Sequence, residues 1–227
     1  MSDGRAELGQ PQVRINLRPF ANPLPLGMYS FGIGMLLLGA QSAGWIPLTE
    51  DLQVGLVLAS FVFPLEGVAA IFAFLARDTL AATVLGLFAT SWLTIGLTLI
   101  VGPPGTSSVA IGFYLFAFTA AVVALAAVAL SGKPLIALTL LLSAARATLD
   151  GLYEVSGRSG FADGAGYVAL GIAATAWYAG TAFLLEDLRQ SELLPVLRRG
   201  PARQAIDGDI RGQVQRASAE AGVRQQL

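Results

Sequence analysis

Apolar residues in this chain fall in long, nearly uncharged blocks instead of recurring every third or fourth position. Six blocks, at about Leu26 to Trp45, Val54 to Ala76, Leu80 to Val101, Val109 to Leu130, Pro134 to Tyr153 and Gly166 to Leu185, approach the roughly 20 apolar residues that a helix needs to cross about 30 Å of hydrocarbon. Short polar breaks separate them: "PLTED", "RDT", "GPPGTSS", "SGK" and "EVSGRSGFADGAG". The blocks do not alternate apolar with polar at period two, which argues against a lipid-exposed barrel. A soluble core made of six such blocks is the poorer alternative in so short a chain. The pattern therefore predicts an all-α integral membrane protein with six transmembrane helices over residues 21–187. A polar segment, 1–20, precedes the bundle. A polar tail, 188–227, follows it, beginning as a helix that continues the sixth span and ending disordered.

Composition supports the same class, with 55% hydrophobic and 13% charged residues. The first twenty residues, "MSDGRAELGQPQVRINLRPF", lack the apolar core of a cleavable signal peptide, so the first helix is expected to act as both anchor and insertion signal. Positive charge is strongly one-sided. Of the fourteen Lys and Arg residues, Arg146 lies inside a span and Arg158 in the fifth break; the other twelve fall in the N-terminal segment, the second and fourth breaks and the tail. The positive-inside rule then puts both termini in the cytoplasm of a multi-pass protein of the cell (plasma) membrane, consistent with an even number of spans.

The sequence has no Cys and no His, which excludes disulfides, thiolate or imidazole metal sites, haem ligation and a catalytic His. No serine stands in a Gly-x-Ser-x-Gly setting and no Gly-rich phosphate loop follows a strand. An enzyme is not expected, nor a catalytic residue, metal, cofactor or nucleic-acid partner. The tail arginines invite contact with anionic headgroups of the lipid bilayer, though a solvated tail is the simpler reading.

Charges retained within the spans are the best pointers to function, because each costs about 2.5 to 3.5 kcal/mol at the bilayer centre. Glu66 lies midway along the second block in "SFVFPLEGVAA", just after Pro64. Arg146 and Asp150 lie in the fifth, in "SAARATLDGLYE", one helical turn apart and so placed to form an ion pair. Glu154 continues that face. Two readings compete: a polar staple in which Arg146 bridges Glu66 and Asp150, or a polar lining and anion-binding point within a conduction path. Aromatics such as Phe31, Phe61, Phe88, Trp92 and Trp177 are mostly packing residues in such a bundle. Small residues, including Gly32, Gly34, Ala120 with Ala124 and Gly171 with Thr175, permit close helix approach within or between subunits.

The first block opens on helix breakers, "ANPLPLGMYSFGIGM". Asn22 suits an N-cap, Pro23 the first helical position, and Pro25 still falls in the unpaired first turn. "NPLPLGMYSFGIG" resembles the signature that opens the first helix of the acetate uptake transporter family, the succinate-acetate permeases (YaaH-like). "DTLAATVLGLFATSWLTIG", "GFYLFAF" and "FADGAGYVALGIAATAWYAGTAFLLEDLRQSELLPV" resemble its later segments, from about Ala21 to Pro195. The resemblance implies a six-helix protomer with a central path for small monocarboxylates and a hexameric ring. It implies a constriction of Phe31, Phe88 (where the family has Tyr) and Leu142 or Ser143. It places Asn22, Pro23, Pro25 and Gly27 at the cytoplasmic mouth, where helix amides favour a carboxylate.

This chain departs from the pattern in its second helix, where "FVFPLEG" puts Phe61, Val62 and Glu66 in place of Tyr, Gly and Gln. Arg146 and Asp150 have no counterpart in the family's pattern. The expectation is a divergent channel or proton-coupled carrier for acetate or a similar small organic acid, with Arg146 as the anion's partner and Glu66 and Asp150 setting its charge. A channel for a neutral solute (urea, an amide or an undissociated acid) and a non-transporting structural partner with the same fold are the alternatives.

Overall fold

Every apolar block folds as a helix, since a backbone in hydrocarbon must satisfy its own hydrogen bonds. The computed structural model describes residues 20–189, 191–199 and 203. The expectations for the polar N-terminal segment and for most of the tail fall outside these residues. Among the described residues there is no strand, and six helical stretches are long and apolar enough to cross a membrane. They are α1 (Leu24–Ser42); a second span of α2 (Asp51–Val57) and α3 (Phe63–Leu75); α4 (Thr79–Val101); α5 (Val109–Leu130); α6 (Pro134–Ser156); and α7 (Ser159–Arg189). Helix α1 lies along α7, α5 along α6, α3 along α4 and α6 along α7.

The opening prolines work as a helix start, displaced by one position from expectation. Asn22 Oδ1 accepts the Leu24 N–H at 3.1 Å, Pro23 is the capping residue, and the first helical bond runs from Gly27 N–H to Pro23 O. Pro25 falls among the first-turn residues that have no intrahelical N–H bond to lose.

The second span is not one regular helix. Pro64 offers no N–H, and in an α-helix its ring would collide with the carbonyl of Ser60. The chain responds with a π turn, Leu58–Val62, in which the Phe63 N–H reaches five residues back to Leu58 O. The polar fifth break is also shorter than it reads. Helix α6 runs to Ser156, Gly157 terminates it in the left-handed region at φ 67° with its N–H on Tyr153 O, and α7 starts at Ser159, seven residues before the expected Gly166.

Small residues set the helix spacing. A Cβ on Gly55 would lie 2.6 Å from the Gly96 carbonyl, so α2 and α4 touch backbone to backbone. Gly34 leaves room for the Trp92 ring and Gly32 for that of Trp177. Ala120, Ala124 and Gly171 instead face outward, among exposed apolar side chains such as Ile71, Phe113 and Tyr167. This inside-out distribution is that of a surface solvated by lipid or by neighbouring subunits. After α7 the chain folds back: Val196 is buried, Tyr178 Oη donates to Pro195 O at 3.0 Å, Arg198 forks onto Glu186, and the Arg199 N–H donates to Gly132 O in the α5–α6 turn.

Candidate functional site

Two small cavities lie inside the bundle, and the Phe88 ring borders both. The first is at the end where α1, α4 and α6 begin. It is walled by apolar residues including Leu24, Met28, Phe31, Leu85 and Ile136, with Glu66, Lys133 and Thr139 as its polar members. Water centres have ≈ 30 Å³ there, room for about two waters at roughly 10–15 Å³ each. The second is ≈ 10 Å³ and is bordered by Met35, Ile95, Leu115 and Phe118 together with Ser91, Trp92, Ser143 and Arg146.

The wall between them is aromatic. Phe31 and Phe88 meet edge to face, with centroids 5.0 Å apart, and Phe88 meets Phe118 the same way at 5.0 Å. Trp92 closes on Phe31 from the other side at 5.8 Å. Each such pair contributes about 0.5–1.5 kcal/mol beyond simple burial, so the wall is a packed element.

Phe31 and Phe88 thus stand together, whereas Leu142 does not join them. It is half-buried and borders neither cavity. The inward stripe of α6 instead runs through Thr139, Ser143, Arg146 and Asp150, at the three- and four-residue steps of one helix face. Ser143, the other candidate for that position, borders the second cavity. Of the mouth residues, Asn22 precedes the capping Pro23 and accepts the Leu24 N–H, and Pro25 is buried. Gly27 is a packing position, where a Cβ would lie 2.5 Å from Leu85 Cδ2. Their neighbours Leu24 and Met28 face the first cavity.

The three intramembrane charges do not form one cluster. Arg146 Nη2 pairs with Asp150 Oδ2 at 2.9 Å, as their spacing dictates. Glu66, 1% exposed, makes no ion pair among the described residues and borders the other cavity. The staple with Arg146 bridging both carboxylates is therefore not formed, and the physical reason is the aromatic wall. Glu66 Oε2 and Trp92 Nε1 are both buried, and neither completes a hydrogen bond among the described residues. Arg146 Nε is likewise buried without a partner. Glu154 has a structural role: its Oε2 accepts the Ser108 N–H at 2.6 Å, at the start of α5. At the mouth of the first cavity, Lys133 pairs with Asp78, the residue that caps α4 by accepting the Ala81 N–H.

Lys133, Ser91 and Thr139 were not anticipated as cavity residues. For Thr139 the signal was present, since it lies seven positions before Arg146 on the same face. Lys133 sits in a polar break and Ser91 in a helix that also carries five threonines, and neither carries a local signal.

Six apolar helices around a divided interior, with polar groups facing both compartments, define a multi-pass, all-helical membrane protein. Residues 6–197 match the GPR1/FUN34/yaaH family, and the chain belongs to it. This is the family that the opening signature indicated. The fold is similar to that of the bacterial acetate channel SatP, with a TM-score of 0.71 at 19% identity, covering 78% of this chain and 99% of that one. No curated protein sequence matches.

Proposed function

We propose that this protein is a membrane channel or proton-coupled transporter for acetate or a similar small monocarboxylate, with the path running through each protomer. The observation that carries this reading is the pair of cavities in one bundle, both bordered by Phe88. Phe31 and Phe88 are the apolar constriction, and the segment from Asn22 to Gly27 that leads into α1 shapes the mouth beneath it. Membership of the family and the likeness in fold to an acetate channel support the substrate class. Both termini are cytoplasmic by charge asymmetry, and the outward small-residue faces suit a homo-oligomer, a hexamer by resemblance. Uptake of labelled acetate into proteoliposomes exceeds that of empty vesicles. Equal rates at both acidic and neutral pH would overturn the proposal.

One observation favours a second reading, a path for an uncharged solute such as an amide or undissociated acid. Glu66 borders the first cavity and makes no ion pair among the described residues, and an ionised carboxylate there would repel an anion strongly in a low-dielectric path. Acetamide crossing faster than acetate at neutral pH identifies this case.

A further inference from the structure

The second cavity has features that a mere packing defect would lack. Arg146 is 6% exposed and borders it, and its Nε–H has no acceptor although the guanidinium is charged. Asp150 pairs with Nη2 at 2.9 Å and balances the charge, while the Nε–H finds no acceptor among the described residues. A charged donor left unmet in a low-dielectric interior is costly, so it is satisfied by something that enters the cavity. Ser91 and Ser143 border the same space; the Ser143 hydroxyl is committed as a donor to Thr139 O at 2.8 Å, which leaves the Arg146 Nε–H as the charged donor available to an anion there. The rest of the lining is mainly apolar and includes Phe88, Ile95 and Leu115. An oxyanion at one end and a short hydrocarbon at the other match this lining better than an inorganic anion or a neutral polar solute. At ≈ 10 Å³ the space admits about one water-sized group. No whole acid fits this space as it stands; entry requires lining side chains to move, and a shorter tail requires less of that movement.

We propose that this cavity is a docking site for the ionised carboxylate of a short-chain acid, received by Arg146 Nε with Asp150 as resident counter-ion. The proposal rests on the reading of the chain as a path for small acids and adds a station beyond the aromatic wall at which the anion is selected.

The test is thermal unfolding of the purified full-length protein, titrated with sodium acetate, sodium butyrate, acetamide or sodium chloride at matched ionic strength, with acetate flux measured in parallel. Acetate is expected to raise the unfolding temperature by about 5 °C or more at saturation. Butyrate should do so less strongly, and acetamide and chloride should not. Since Arg146→Gln alone strands Asp150, the informative variant is R146Q/D150N, which removes both charges together and is expected to fold but to lose the acetate shift. Equal stabilisation of wild type and R146Q/D150N by acetate would overturn the site, as would equal shifts from acetate, butyrate and acetamide. Acetate flux without any acetate shift removes the site while leaving the transport reading intact. Absence of both flux and shift removes the two together.

Discussion

The rings of Phe31 and Phe88 meet edge to face, 5.0 Å between centroids and 84° between planes, at the point where the bundle interior divides into two compartments. One contact between α1 and α4 therefore stands where the proposed path would have to cross, and it bears on the stability of the bundle as well.

Phe88→Ala should join the two cavities. Loss of a buried ring costs about 3–5 kcal/mol, so the variant should unfold at lower temperature while passing acetate faster than wild type in proteoliposomes. A slower rate in a folded variant would show that the ring positions the solute and does not gate it.

Glu66 makes no ion pair among the described residues, so its protonation state bears directly on whatever occupies the first cavity. Glu66→Gln should flatten the dependence of acetate flux on pH between acidic and neutral conditions. If the pH profile and the stability of the variant both match wild type, Glu66 does not face the path.

Arg146 and Asp150 are neutralised by each other. Arg146→Met leaves a buried carboxylate uncompensated and should cost about 3–5 kcal/mol, whereas Arg146→Met with Asp150→Asn should recover most of that loss. Denaturant unfolding of the two single variants and the double variant measures the coupling. Simple additivity would mean that the pair contributes nothing to folding.

Gly55 and Gly171 separate packing inside the bundle from packing outside it. A Cβ on Gly55 collides with the Gly96 carbonyl, so Gly55→Ala should destabilise by about 1–3 kcal/mol. At Gly171 a Cβ meets nothing within 4 Å, so Gly171→Ala should leave the protomer's stability unchanged or slightly raised. Size-exclusion profiles add a second readout: dissociation caused by Gly171→Ala would place that face in a subunit contact.

Local physics made much of this protein legible from its residues. Length and apolarity of each block determined six helices, because hydrocarbon leaves the backbone no other partner. Spacing determined the Arg146–Asp150 pair, and the breakers around Asn22 determined where α1 begins to within one residue. The opening motif pointed to the family, and with it to Phe31 and Phe88. Tertiary structure decided which way each helix faces. Successive helical residues differ by about 100°, and the π turn at Leu58–Val62 inserts an extra residue before Glu66, so the direction of that side chain could not be read from its position in the block. Packing of the bundle put an aromatic wall between the cavity that Glu66 borders and the one that Arg146 borders, left Leu142 bordering neither, and brought Ser91 and Lys133 to them. A helix carries its own hydrogen bonds and can be read alone, but its rotation is set by the side chains of its neighbours, which only the folded bundle assembles.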